Sequence, residues 1–193
     1  MYLNMILETI AVVLGLAYLY FLIKENIICW YFGIASSIVS IGLFYRSGLY
    51  SESILYIYYV VIGVYGLWLW RKPKPDQNRL SVRQISSKMY LNIFLLGTLF
   101  TGVLGYYFKT YSDANEPYLD AGTTVFSFIA SYLEANKFID AWLFWIVINM
   151  ATLVLYFNID LNIYLLLTFL YLVFSFIGFS QWNRKLEEPM FVK

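Results

Sequence analysis

Two stretches of this chain carry the same rare side chains in one ungapped register, 112 residues apart. Trp30 falls on Trp142, Ile34 on Ile146, Tyr59 on Tyr171, Gly66 on Gly178 and Trp70 on Trp182. The upstream flank follows, with Glu8 on Asp120 and Tyr20 on Tyr132. Tryptophan occurs only six times in 193 residues, so two coincidences of Trp in one register point to an internal duplication. A duplication inside so apolar a chain is the mark of a transporter built from repeats.

The apolarity sets the solvent. Charged residues make up 13% and hydrophobic residues 61%, whereas a soluble domain carries about 25% charge. Seven apolar stretches, at about 5–23, 28–45, 53–70, 89–108, 119–134, 139–157 and 161–180, each approach the roughly 20 residues that a helix needs to cross a bilayer. The first lacks a basic leader and a small-residue cleavage site, so it reads as a retained span. The fold class expected is therefore an all-α integral membrane protein with seven transmembrane helices.

Spans one to three match spans five to seven, and the fourth links them. Four spans separate equivalent points, so both triplets enter the membrane in the same direction. This 3+1+3 parallel repeat, SWEET-like in arrangement, places a substrate near the midplane between the halves. The domains expected are 1–72 for the first triplet, 73–110 for a connector and the linking helix, and 111–193 for the second triplet and its tail. A duplication that merely builds a stable bundle is the alternative.

Lysine and arginine orient the chain. With residues 71–88 in the cytoplasm, that side gathers Lys24, Arg71, Lys72, Lys74, Arg79, Arg83, Lys88, Lys137, Arg184, Lys185 and Lys193, and the other side keeps Arg46 and Lys109. The asymmetry puts the N-terminus outside and the C-terminus in the cytoplasm. The one long polar stretch, 71–88, reads as a solvated connector whose prolines end the third span.

The chain contains no histidine, which removes His-based acid–base catalysis, His metal sites and Ser–His or Cys–His nucleophiles. Its single cysteine, Cys29, allows no internal disulfide and reads as a buried thiol. There is no phosphate loop, no cluster of metal ligands and no nucleic-acid signature. An enzyme is not expected, nor a cofactor, a metal or a nucleic-acid partner.

The sixth span puts Trp142, Trp145, Asn149, Thr152 and Tyr156 on one helical face. Asn149 falls near mid-membrane, where a carboxamide faces a cavity or bonds another helix. Two indoles one turn apart can stack an aromatic ring and bind a cationic ring better still. Trp142 also suits an interfacial anchor. The fifth span carries a second polar stripe of Asp120, Thr123, Thr124, Ser127 and Ser131, although such hydroxyls can bond back to their own helix. Asp120 and Glu8 stand at outer ends, suited to a gate or equally to their own helix N-termini. In the first half, Trp30, Gly33, Ser37, Ser40 and Phe44 share one face of the second span, and Tyr56, Tyr59, Gly63, Gly66 and Trp70 one face of the third. Small residues there suit close helix packing, while Tyr59 and Tyr171 suit a gate or a pocket wall.

The stretches ENIICWYFGIASS (25–37), YYVVIGVYGLWLW (58–70), PYLDAGTTVFSFIASYL (117–133) and WLFWIVINMATLVLY (142–156) resemble the PnuC family of vitamin transporters, whose relatives include thiamine transporters. The pair Trp142 and Trp145 followed by Asn149 is the most specific match. The resemblance implies a SWEET-related fold, assembled as a homotrimer in a bacterial inner membrane. It implies facilitated uptake of nicotinamide riboside, with a cytoplasmic kinase trapping the product. It implies a substrate site at Trp142, Trp145 and Asn149, to which the residues add Ser127, Thr124, Thr123, Asp120, Tyr59, Ser37 and Trp30. Many members carry glutamine in the third span where this chain has Tyr56. The alternatives are thiamine or another cationic vitamin carried by the same fold, and, in another class, a membrane sensor that does not transport.

Overall fold

A computed structural model describes residues 2–46, 50–72, 81–112, 116–158 and 162–187. They form seven helices: α1 (Tyr2–Ile23), α2 (Ile28–Arg46), α3 (Tyr50–Arg71), α4 (Ser87–Tyr111), α5 (Pro117–Ala135), α6 (Asp140–Asn158) and α7 (Asn162–Glu187). Each covers one predicted apolar stretch. Away from water a backbone must satisfy its own polar groups, and a helix does so within the segment. Windows in α1, α2, α4 and α7 are long and apolar enough to cross a membrane, while α3 and α6 hold shorter apolar windows, Leu55–Arg71 and Asp140–Val154. The polar stripe of α5 lowers its apolarity. The largest departure from the predicted bounds is at α7, which runs to Glu187. Its extra turns carry Trp182, which is fully buried.

The chain forms two compact units, Met1–Ser81 and Val82–Lys193. In the first, α2 packs against both α1 and α3; in the second, α6 packs against both α5 and α7, and α4 against α5. Lys74, Arg79 and Lys193 of the set expected in the cytoplasm, with residues 73–80 of the polar connector, lie outside the described residues.

The duplication is visible in atomic detail within each unit. The α1–α2 turn closes with Glu25 N–H on the Leu22 carbonyl (2.8 Å), Asn26 on Phe21 (2.9 Å), Cys29 on Asn26 (2.9 Å) and Trp30 on Ile27 (3.2 Å). The α5–α6 turn repeats all four bonds at the equivalent positions. They are Lys137 on Glu134 (3.0 Å), Phe138 on Leu133 (2.9 Å), Ala141 on Phe138 (3.1 Å) and Trp142 on Ile139 (3.0 Å). Both are helix ends in which a left-handed residue lets its own N–H and that of the next residue reach back to orphan carbonyls. The left-handed residues are Glu25 (φ 54°) and Lys137 (φ 56°), also equivalent and neither of them glycine.

The helix contacts repeat as well. Trp30 meets Trp70 edge to face at 5.4 Å and 87°, and Trp142 meets Trp182 at 5.4 Å and 90°. A Cβ on Gly66 would stand 2.6 Å from Cη2 of Trp30, and one on Gly178 2.6 Å from Cη2 of Trp142. Both glycines open the notch that seats an indole.

One device of the second unit has no counterpart among the described residues of the first. Residues before α4 dock on the α5–α6 turn as a short parallel bridge: Arg83 N–H bonds the Lys137 carbonyl (3.1 Å), and Ile139 N–H bonds the Arg83 carbonyl (2.9 Å). Ile85 packs with Leu133 and Ala141 beneath it. Asp140, 1% exposed, accepts the Ile85 N–H at 2.8 Å and the Tyr90 hydroxyl. Ser86 then caps α4 by accepting the Met89 N–H.

A candidate substrate face on the fifth and sixth helices

The polar residues of α5 and α6 fall into three settings. At the start of α5, Asp120 is partly exposed, and Thr123 donates back to its carbonyl at 2.9 Å. Thr124 is also partly exposed. One turn further, Ser127 is buried, and its carbonyl accepts the Ser131 hydroxyl at 2.8 Å. Thr123 and Ser131 thus satisfy their protons within their own helix, as such hydroxyls do in apolar surroundings.

On α6, Asn149 lies about 13 Å along the helix from Asp140. It is buried and donates to the Ser175 hydroxyl of α7 at 3.2 Å, and Ser175 donates onward to the Tyr171 carbonyl at 2.8 Å. One turn nearer the α5–α6 turn, Trp145 is partly exposed. Its indole N–H donates at 2.7 Å to the carboxylate of Glu134, which is 2% exposed in the last turn of α5. Phe144 beside it stacks between Phe126 of α5 (6.1 Å, 15°) and Tyr90 of α4 (6.4 Å, 23°). This stretch of α6 carries an indole bonded to a buried carboxylate and, one turn on, a carboxamide bonded to a hydroxyl of α7. It suits a flat, positively charged ring bearing hydroxyl groups. No group of three or more His, Cys, Asp or Glu side chains suited to a metal ion occurs among the described residues.

The two indoles of α6 differ in setting. Trp142 is 1% exposed and wedged against Gly178 and Trp182, and its buried Nε1 has no hydrogen-bond partner. Trp30 occupies the equivalent wedge, 2% exposed, with its Nε1 likewise unpartnered. In the first unit Ser37 is buried and donates to the Gly33 carbonyl at 2.8 Å. Tyr59 joins an aromatic group with Tyr56 (5.5 Å) and Tyr58 (6.0 Å), and Tyr56 stacks on Phe44 (5.2 Å, 20°). At the position where the resemblance leads one to expect glutamine, this chain packs a ring on a ring. Thr152 is partly buried; the side chain of Tyr156 lies outside the described residues.

Glu134, Asp140, Tyr90 and Ser175 are not among the residues singled out from sequence. Nothing local in the sequence shows that the turn between Glu134 and Asp140 is covered. The repeat holds a signal for two of the pairings. Glu134 and Trp145 fall on Leu22 and Gly33, and Asn149 and Ser175 on Ser37 and Gly63. In each case both partners of a contact depart from the symmetry together.

The chain is similar to the nicotinamide riboside transporter PnuC of Neisseria mucosa, 26% identical over 190 residues, covering 92% of this chain and 72% of that one. It is similar to the protein of the same name from Escherichia coli, 20% identical over 176 residues, with 78% and 73% covered. Its fold matches a crystal structure of the vitamin B3 transporter PnuC with a TM-score of 0.76 at 24% identity, covering 94% of this chain and 82% of the other. These matches and the apolar helices describe a multi-pass membrane protein. A model of the nicotinamide mononucleotide transporter family spans residues 5–184, from the first helix into the last, and the chain belongs to that family.

Proposed function

We propose that the protein carries nicotinamide riboside across a bacterial inner membrane by facilitated diffusion. The observation that carries this reading is the pair Trp145 and Asn149, one turn apart on α6, with Glu134 behind the indole. The nicotinamide ring of the riboside is a cationic aromatic plane, and its ribose offers hydroxyls to a carboxamide and to serine. Ser127, Thr124, Thr123 and Asp120 continue the polar track along α5. Tyr59, Ser37 and Trp30 stand in the first unit at the positions of Tyr171, Asn149 and Trp142, and Trp142 fixes the α6–α7 pair on which Trp145 and Asn149 stand.

The family description names the mononucleotide, and the curated relatives are named for the riboside. Charge favours the riboside. A phosphate brought to this face would approach the buried carboxylate of Glu134, and like charges at short range in an apolar medium repel strongly. Transport involves no covalent step in this reading. A cytoplasmic kinase that phosphorylates the arriving riboside supplies the net drive. The Lys and Arg distribution supports an external N-terminus and a cytoplasmic C-terminus. The parallel repeat and a homotrimeric assembly belong to the same proposal.

Calorimetric titration of the purified protein with nicotinamide riboside, its mononucleotide and thiamine tests the substrate. Binding of the riboside alone is expected; preference for thiamine or for the mononucleotide would overturn the assignment. Uptake into vesicles without a proton or sodium gradient tests the mode, and an absolute gradient requirement would exclude facilitated diffusion.

A further inference from the structure

A buried carboxylate is costly unless something compensates it, so the place of Glu134 needs a reason. Fold is not that reason. The α1–α2 turn closes with the same four backbone bonds and a residue of the same left-handed φ. There the position of Glu134 is taken by Leu22, fully buried, and the position of Trp145 by Gly33. The turn and the neighbouring Trp–Gly wedge therefore form without the pair.

The pair does have an electrostatic consequence. A carboxylate accepting an indole N–H at 2.7 Å polarises the ring, because hydrogen bonds in a low-dielectric interior strengthen one another's charge displacement. Electron density moves toward the ring and its faces become more negative. A cation over such a face is held more tightly. The same bond fixes the rotation of the indole, which α6 alone leaves free. Trp145 keeps part of its surface exposed while Glu134 is covered. A ligand can thus meet the ring while the charge behind it stays shielded from solvent.

We propose that Glu134 is a positioning and specificity residue. Through its hydrogen bond to Trp145 it orients the indole and tunes its face, so that the protein selects a cationic aromatic ring over an uncharged ring of the same shape. This rests on the reading of the protein as a nicotinamide riboside carrier.

The test compares nicotinamide riboside with its reduced, uncharged dihydropyridine form by calorimetric titration of the full-length protein, using the wild type, Glu134→Gln and Glu134→Leu. The wild type should favour the cation by about tenfold or more, a difference of about 1.4 kcal/mol. Glu134→Gln keeps an acceptor for the indole but removes the charge. It should lose most of that preference while binding the uncharged form within about twofold of wild type. Glu134→Leu, the repeat's own residue, should also abolish the strongly hydrogen-bonded indole signal of Trp145 in ultraviolet resonance Raman spectra, identified by difference from Trp145→Phe. If Glu134→Leu does not fold, Glu134→Gln decides alone. An unchanged cation preference in Glu134→Gln, with wild type binding the riboside, overturns this inference and leaves the transport reading standing. A wild type that binds no riboside overturns both.

Discussion

The indole of Trp142 occupies the space that a side chain at Gly178 would need: a Cβ there would stand 2.6 Å from three of its ring carbons. Trp30 and Gly66 make the same contact in the first unit. Each notch joins the second and third helices of its triplet, and each can be tested by adding one methyl group.

Gly178→Ala and Gly66→Ala should each destabilise the protein by about 1–3 kcal/mol, since a filled core answers added volume with strain. Gly102→Ala is the control. Nothing lies within 4 Å of its Cβ, and alanine is the better helix former by about 1 kcal/mol. Thermal unfolding in detergent should rank Gly102→Ala at or above wild type and the other two below it. Equal midpoints for all three would refute the notch.

The Asp140 clasp predicts local unfastening. Asp140→Ala leaves the Ile85 N–H and the Tyr90 hydroxyl without their shared acceptor, at a cost of about 1–3 kcal/mol for the buried Ile85 N–H and less for the more exposed Tyr90 hydroxyl. Hydrogen exchange should quicken over residues 81–86 and in the first turn of α4 before it quickens elsewhere. Tyr90→Phe should show a smaller effect, because the backbone bond remains.

Asn149 and Ser175 separate recognition from packing. If Asn149 contacts the ribose, Asn149→Ala should weaken riboside binding by about tenfold, near 1.4 kcal/mol. Ser175→Ala removes only the support of the carboxamide and should cost less than about threefold. Calorimetry on both variants and on the double variant reads the coupling; equal losses from the two single changes would make the bond purely structural.

The left-handed residues offer a gain of stability. Glu25 holds φ 54°, a conformation costing a residue with a side chain roughly 1–2 kcal/mol. Glu25→Gly should raise the unfolding midpoint, by about 1 kcal/mol or less once the flexibility of glycine in the unfolded chain is counted. A lowered midpoint would show that the Glu25 side chain contributes more than its strain.

The sequence alone determined the seven helices, because crossing a bilayer demands a long apolar stretch whose backbone bonds to itself, and such stretches are written consecutively. It also determined the duplication, since the wedge of an indole in a glycine notch needs those two residue types and leaves both in register. The face of α6 that bears Trp145 and Asn149 was legible from spacing, as helical geometry puts every third or fourth residue together. Only the tertiary structure decided what stands behind that face. Trp145 meets Glu134 across a turn, Asn149 meets Ser175 on another helix, and Asp140 is covered by a segment fifty-five residues upstream. Burial of a polar group depends on what packs over it, and no local pattern records that. It was likewise packing that set the two indoles apart, enclosing Trp142 in its notch and leaving Trp145 partly open with a carboxylate at its back.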